Sequence, residues 1–132
     1  MSIRRVDAPG LFPDAPYHYA AVAGPGDLVF AAGACPLDES GDVVDGADIP
    51  AQTRRCVANL RTALEAAGAG FGDVLKTTVY VASAEQVDLV RAWDVVAEAF
   101  GDARPPSTLL GVSVLGYTGQ LVEIEAVALR RG

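Results

Sequence analysis

The chain has 132 residues, of which 51% are hydrophobic and 20% charged; this composition excludes a disordered tail and predicts a single domain over residues 1–132. The formal net charge is −7, from 17 acidic and 10 basic residues. We therefore expect no nucleic acid partner, because such proteins neutralise phosphates with Lys and Arg. The mean hydropathy of +0.27 is high for a small monomer, and we interpret the apolar surplus as a subunit interface.

The first quarter of the chain predicts short strands. Residues 2–6 suit an edge strand, and residues 7–16 are a loop because they are rich in Pro. Residues 17–23 and 27–34 are β-prone, and the Gly-Pro-Gly spacer between them predicts a hairpin.

Two amphipathic helices follow, separated by a predicted strand at residues 75–81. Asp48, Ile49 and Pro50 are typical of a helix entry. An apolar stripe at helical spacing then comprises Cys56, Val57, Leu60, Ala63, Leu64 and Ala67, and Gly68 and Gly70 end it. The second helix follows a possible capping box formed by Ser83 and Gln86, and its stripe comprises Leu89, Trp93, Val96 and Phe100. We interpret Trp93 and Phe100 as core residues rather than cofactor contacts.

The last quarter predicts two strands, at residues 107–115 and 121–129, with a Gly-marked turn between them. In the second strand the alternation places Val122, Ile124, Ala126 and Ala128 on one face. Glu123 and Glu125 interrupt the other, otherwise apolar face. They are interpreted either as residues of a solvated face or as carboxylates at a subunit cleft that orient water, and spacing leaves both interpretations open.

The element order β-β-β-α-β-α-β-β predicts an α+β fold, a two-layer domain with both helices on one sheet face. No cofactor is expected, because no nucleotide, flavin or nicotinamide fingerprint is present. No metal is expected either, since His18 is the single histidine and is interpreted as a half-exposed strand residue.

Features of the chain also predict its compartment. The N-terminus has no apolar signal segment, and no stretch approaches the ~20 apolar residues of a membrane span, so no membrane partner is expected. Cys35 and Cys56 are interpreted as free buried thiols, which suit a reducing compartment. Together these features predict a cytoplasmic protein.

Several segments, taken in order, resemble the RidA family, that is, the YjgF/RidA superfamily, also labelled endoribonuclease L-PSP. They are APYHYA, DLVFAAGACPLDESGDVV, AQTRRCVANLRTALEAAGAGFGDVLKTTVYV, RPPSTLLGV and VEIEAVALR. The resemblance implies a chorismate-mutase-like domain with a mixed sheet. It also implies a homotrimer whose sheets meet in a barrel-like centre, with a small-molecule ligand bound in clefts at the subunit interface.

The resemblance also implies a site for hydrolysis of enamines or imines to keto acids and ammonia, and this chain keeps part of it. The family tyrosine corresponds to Tyr17, and the glutamate that positions water corresponds to Glu123. The family serine corresponds to Ala32, beside Gly33, and the arginine that clamps the substrate carboxylate corresponds to Ser107.

Loss of the clamp argues against ordinary 2-imino-acid deaminase activity, because removing a guanidinium–carboxylate pair costs about 2–5 kcal/mol. Thr108 remains a candidate polar group, and Arg104 either replaces the cation or faces solvent. Three hypotheses follow: a hydrolase or deaminase of the RidA type for an uncharged or differently charged imine, enamine or related metabolite, a non-catalytic small-molecule binding protein, and a scaffold trimer.

Overall fold

The computed structural model describes residues 3–130, which begin with a two-stranded antiparallel ribbon. Strand β1 (Ile3–Val6) pairs with β2 (Ala20–Ala23). The predicted first strand is therefore confirmed except at Ser2, which lies outside the described residues. The Arg5 side chain donates to the carbonyl oxygens of Gly72 and Val74 at 2.9 and 3.0 Å, which ties the ribbon to the rest of the domain.

The predicted hairpin between the second and third strands is wrong. Strand β3 (Asp27–Phe30) pairs antiparallel with the last strand of the chain, Val122–Arg130, and not with β2. Between them, Gly26 has φ +152°, and a Cβ there would lie 2.6 Å from the carbonyl oxygen of Arg130. The chain passes so close to the last strand at this position that only glycine fits. Directly after it, β3 joins the four-stranded sheet.

Helix α1 (Ile49–Ala66) begins and ends where the sequence predicts. Asp48 caps it, with its carboxylate accepting from the Ala51 amide at 3.0 Å, and Gly68 follows it at φ +84°. Four residues of the predicted stripe are buried, namely Cys56, Val57, Leu60 and Leu64. Ala63 is exposed instead, while the polar Gln52 and Thr53 are fully buried.

Gln52 joins the helix to two loops. Its amide nitrogen donates to the carbonyl oxygens of Gly46 and Gly119, and its oxygen accepts from the Leu121 amide at 2.8 Å. Thr53 instead returns its hydroxyl proton to the Ile49 carbonyl within the helix. A buried side-chain amide satisfied on both ends thus fixes the chain just before the last strand.

The remaining elements are β4 (Val74–Val81), α2 (Gln86–Phe100), β5 (Ser107–Gly111) and β6 (Val122–Arg130). The predicted capping box is wrong: Glu85 occupies the cap, and Ser83 accepts from the Glu85 amide and donates to Asp88. Strand β5 ends earlier than predicted, at Gly111, where a Cβ would lie 2.7 Å from the Ser83 carbonyl oxygen.

The four-stranded sheet has the order β3-β6-β4-β5, in which β4 and β5 are parallel and the other pairs antiparallel. Helix α1 packs on β6, α2 packs on β4 and β5, and the two helices contact each other. The predicted α+β fold, with a mixed sheet covered by both helices on one face, is therefore confirmed. No helix between residues 3 and 130 has the length and apolar character of a membrane span.

The side chains of strand β6 alternate between the two faces of the sheet, as the sequence predicts. Val122, Ile124, Ala126 and Ala128 are all buried in the core under the helices. On the opposite face, which we call the open face, Glu123, Glu125 and Val127 are half-buried. Large apolar side chains of the neighbouring strands share the open face and are exposed, namely Leu28 (55%), Phe30 (73%) and Leu110 (43%).

Replacing Gln52 with Met is expected to lower the free energy of unfolding, because backbone groups that it pairs would be left unsatisfied at about 1–3 kcal/mol each. Urea unfolding followed by circular dichroism measures this. The matched control is Gln86→Met at an exposed position, where we expect a change within about 0.5 kcal/mol. Equal losses in the two variants would contradict the role given to Gln52.

Candidate functional site

The Glu123 carboxylate is held on the open face by two donors that share one of its oxygens. The Gln120 amide nitrogen donates to Oε1 at 3.2 Å, and the Cys35 thiol donates to the same oxygen at 3.3 Å. Gln120 is itself buried and fixed, since it also donates to the Val122 carbonyl and accepts from the Tyr117 amide. The carboxylate is therefore oriented through Oε1, which leaves Oε2 to face elsewhere.

Gly33 makes room for that second oxygen. A Cβ at this position would collide with Oε2 of Glu123 and would lie 2.6 Å from its Cδ. The backbone next to it is pinned to β6, because Ala34 and Ile124 exchange hydrogen bonds of 2.7 and 3.1 Å. The structure thus brings together Gly33 and Glu123, two of the predicted site residues, while the adjacent Ala32 is exposed.

Neither cysteine is activated as a nucleophile. Burial and, to a smaller extent, the hydrogen bond to Glu123 together raise the pKa of the Cys35 thiol to about 11. Burial likewise raises the pKa of Cys56, whose thiol donates to the Val122 carbonyl. Both cysteines are free, as predicted. At neutral pH Cys35 is a protonated donor to Glu123 and not a thiolate.

Tyr17 and Ser107 lie together in a groove beside the edge strand β5. The groove has a volume of about 380 Å³ and is lined by Pro16, Tyr17, Trp93, Ser107 and Leu109. The Tyr17 ring meets the Trp93 ring edge to face, with centroids 6.4 Å apart and planes at 84°. The Ser107 hydroxyl oxygen accepts from the hydroxyl of the buried Thr77 at 2.7 Å.

Trp93 therefore does more than fill the core. It packs partly against the core cluster, as predicted, but it also lines the groove and remains half-buried. Phe100 is a core residue as predicted, with 7% exposure and a stacked contact to Phe71 at 4.4 Å. The helical spacing of α2 identifies both residues as inward-facing, but it does not show that Trp93 also lines the groove.

Thr108 and Arg104 are not among the residues that line this groove. Thr108 follows Ser107 on the strand and so points to the open face, where its hydroxyl accepts from Lys76 Nζ at 2.7 Å. Arg104 is exposed, has a left-handed backbone (φ +37°) and accepts the His18 amide at its carbonyl. It lines a small recess that shares Pro16, Trp93 and Ser107 with the groove, and a recess of about 490 Å³ that shares Tyr17 with it.

The second carboxylate of β6 has a different environment. Glu125 accepts a short 2.6 Å hydrogen bond from the Tyr80 hydroxyl, and this bond raises the pKa of Tyr80. A recess of about 330 Å³ on the open face lies between Glu125, Lys76 and Phe30. Sequence reasoning did not single out Tyr80 or Gln120 and interpreted Cys35 only as a free buried thiol, because their contacts depend on which strand and loop lie beside β6.

His18 precedes β2 rather than lying in it, so the predicted strand position is wrong. It remains half-buried, and its Nδ1 lies 2.9 Å from an Asp7 carboxylate oxygen. Asp7 belongs to the Pro-rich segment before it, so the histidine is held by a local loop contact. Between residues 3 and 130, no three His, Cys, Asp or Glu side chains are close enough to share a metal ion.

The predicted site residues fall into two groups on opposite faces of the sheet. Ser107 pairs with Thr77 on the helix-covered face, whereas Glu123 pairs with Tyr80 on the open face. One chain therefore brings Tyr17 together with Ser107, and Gly33 together with Glu123, but does not join these two groups into one pocket.

Comparison with known proteins agrees with this architecture. The family model described as Endoribonuclease L-PSP matches residues 10–130. A RutC family protein of Pyrococcus horikoshii is 40% identical over 119 residues, which cover 89% of this chain and 90% of that protein. The 2-iminobutanoate/2-iminopropanoate deaminase of Escherichia coli K12 is 32% identical over 108 residues, which cover 80% and 82%.

Solved structures show the same relationship. The conserved Rid family protein YyfB of Yersinia pestis matches with a TM-score of 0.90 at 29% identity, covering 98% of this chain and 99% of that one. The chain therefore belongs to the endoribonuclease L-PSP family, known also as YjgF/RidA, as its motifs predicted.

Replacing Cys35 with Ser is expected to flatten the loss of stability at alkaline pH. The pKa of Cys35 is raised in the folded state from its ordinary value near 9 to about 11. Below pH 9 both states keep the proton; between these values the unfolded chain releases it first, so the free energy of unfolding falls as pH rises. Serine donates a similar hydrogen bond but does not titrate there.

Urea unfolding at steps between pH 7 and 11 measures this slope. Cys56 and Tyr80 also have raised pKa values, so part of the slope should remain in the variant. Ser113→Ala, at an exposed position, serves as the control with an unchanged slope. An identical slope in wild type and Cys35→Ser would contradict the raised pKa of the Cys35 thiol in the folded state.

Proposed function

We propose that this protein hydrolyses a small imine or enamine that carries no carboxylate for an arginine to clamp, at a cleft shared between subunits of a homotrimer. The observation that carries the proposal is the Glu123 carboxylate. It is oriented through Oε1 by Gln120 and Cys35, and its Oε2 faces the space left by the missing side chain of Gly33. Such a fixed carboxylate is suited to position water and accept its proton.

The reaction at this carboxylate is a simple addition and elimination. Glu123 takes a proton from water while the oxygen adds to the C=N carbon, and the proton then passes to nitrogen. Collapse of the carbinolamine breaks the C–N bond and releases a carbonyl compound and ammonia, so that one water is consumed. An enamine enters the same route once it has tautomerised to the imine.

The residues that line the groove indicate the charge of the substrate. None of the five residues lining it is charged, and Ser107 stands where the family resemblance expects the clamping arginine. A neutral hydroxyl contributes about 0.5–1.5 kcal/mol, which is well below a guanidinium–carboxylate pair. The 2-imino acids named for the Escherichia coli relative are therefore poor candidates. The net charge of −7 argues equally against an RNA substrate.

The homotrimer is supported by the open face of the sheet. Leu28, Phe30 and Leu110 expose large apolar side chains there, and an apolar sheet face is stable only when it is covered. Tyr17 and Ser107 are also separated from Glu123 by the sheet. A neighbouring copy that contributes the second group would complete the site without any change of fold.

A non-catalytic small-molecule binding protein is the second candidate. The presence of Ala32 and Ser107 where the family has serine and arginine favours it, because both changes remove polar contacts to a reacting ligand while leaving the groove intact. The test of the first proposal separates the two.

Purified protein incubated with imines generated in situ should release carbonyl product and ammonia faster from neutral imines than from imino acids. Semicarbazone formation measures how much imine escapes hydrolysis. Ser107→Arg is expected to raise activity on imino acids by roughly 30-fold or more, the equivalent of a restored guanidinium–carboxylate pair. Absence of hydrolysis of every imine by wild type would favour the binding protein.

Glu123→Gln is expected to lower turnover by about 10²–10⁴-fold, the usual contribution of a general base. Gly33→Ala should lower it as well, because the added methyl group displaces the same carboxylate. Gly116→Ala is the matched control, since a Cβ there meets nothing within 4 Å. Full turnover in Glu123→Gln would remove Glu123 from the mechanism.

The shared cleft is tested by mixing subunits. Tyr17→Ala and Glu123→Gln trimers should each be inactive. Mixed trimers obtained by co-expression should recover about one quarter of wild-type activity, because that fraction of clefts receives an intact half from each neighbour. Analytical ultracentrifugation gives the oligomeric state. No recovery in proven mixed trimers would show that one subunit supplies the whole site.

A further inference from the structure

The groove beside β5 is built mainly from rings. Of its five lining residues, Pro16, Tyr17 and Trp93 carry rings, Leu109 is aliphatic, and Ser107 supplies a hydroxyl. Tyr17 also contacts Tyr19 edge to face, with centroids 5.7 Å apart and planes at 80°. The orientation of the Tyr17 ring is therefore fixed from both sides, by Tyr19 and by Trp93.

The angle between the rings of Tyr17 and Trp93 defines the shape of the ligand. Their planes are nearly perpendicular, at 84°, so together they form a right-angled corner. A flat ring placed in this corner lies parallel to one aromatic plane and edge-on to the other. Both arrangements are favourable between aromatic rings because of their quadrupoles, and a puckered saturated ring lacks this gain.

The polarity of the groove defines the charge of the ligand. Ser107 Oγ accepts the Thr77 hydroxyl, so its own proton is available to an acceptor in the groove. Arg104 is exposed and is not among the five residues that line the groove, although it lines an adjoining recess that shares Pro16, Trp93 and Ser107 with it. An anionic ligand would thus lose its hydration without gaining a cation among the lining residues.

We infer that this groove binds a neutral, planar ring bearing one hydrogen-bond acceptor, with Trp93 and Tyr17 contacting the ring and Ser107 donating to the acceptor. Trp93 is then a specificity-determining residue. Resting on the proposed function, the inference makes the substrate an aryl- or heteroaryl-substituted imine or enamine whose nitrogen or adjacent carbonyl faces Ser107.

The chain provides its own probe, because Trp93 is its single tryptophan. Titrating wild type with benzamide, benzoate and cyclohexanecarboxamide, with excitation at the red edge of tryptophan absorption, compares a neutral flat ring with an anionic ring and with a neutral saturated ring. Benzamide should bind roughly tenfold more tightly than cyclohexanecarboxamide, the effect of two favourable ring contacts, and more tightly than benzoate, whose charge loses hydration without gaining a cation among the lining residues. Equal or tighter binding of benzoate or cyclohexanecarboxamide overturns the inference, as does the absence of saturable benzamide binding at millimolar concentration.

Two variants, followed by titration calorimetry, test the residues. Trp93→Leu should abolish the preference for benzamide over cyclohexanecarboxamide, and Ser107→Arg should reverse the order of benzamide and benzoate. Val90→Ala, an exposed position on α2, is the control that keeps the wild-type order. Benzoate binding that disappears in Arg104→Gln would assign the groove to an anion and overturn the inference.

These readouts do not depend on turnover. Benzamide binding without imine hydrolysis would refute the catalytic proposal and leave the groove assignment in place. Hydrolysis of aliphatic and aromatic imines at equal rates, with no preference in binding, would refute the groove assignment and leave the catalytic proposal in place.

Discussion

Strand β6 is hydrogen-bonded to β3 on one side and to β4 on the other, so its register determines both faces of the sheet. Four of its buried apolar residues, Val122, Ile124, Ala126 and Ala128, belong to the core under the helices. A slip of one residue would bury two carboxylates and expose those four side chains, which is prohibitively unfavourable. The positions of Glu123 and Glu125 on the open face are therefore imposed by the packing of the core.

The orientation of Glu123 depends on a longer chain of contacts that begins in α1. Gln52 accepts from Leu121 and donates to Gly119, and these two residues flank Gln120. Gln120 in turn donates to Glu123. A fully buried amide of the first helix thus fixes the loop that presents the donor to the carboxylate, so the stability of α1 and the geometry of the candidate site are linked.

The features that sequence predicted are those set by local rules. The cap at Asp48 and the alternation of β6 follow from short-range hydrogen bonding and side-chain direction, and the family motifs indicated the fold. The partner of β3 was mispredicted because a Gly-Pro-Gly spacer is read as a hairpin, whereas the close approach of Gly26 to Arg130 joins distant segments. The roles of Cys35 and Gln120 were not predicted for the same reason, since these roles arise only where non-local segments meet.

The two carboxylates of the open face differ in the donors that they accept. Glu125 accepts a strong, charge-assisted hydrogen bond from the Tyr80 hydroxyl at 2.6 Å, and this bond links the two strands. Glu123 accepts one hydrogen bond from the Cys35 thiol, which is a weak donor, and one from the Gln120 amide, both at Oε1. Both donors to Glu123 meet Oε1, and Gly33 leaves space beside Oε2, which is therefore the oxygen open to a ligand. Under the proposed function Glu123 therefore has the reacting role, while Glu125 braces β4 against β6 through Tyr80.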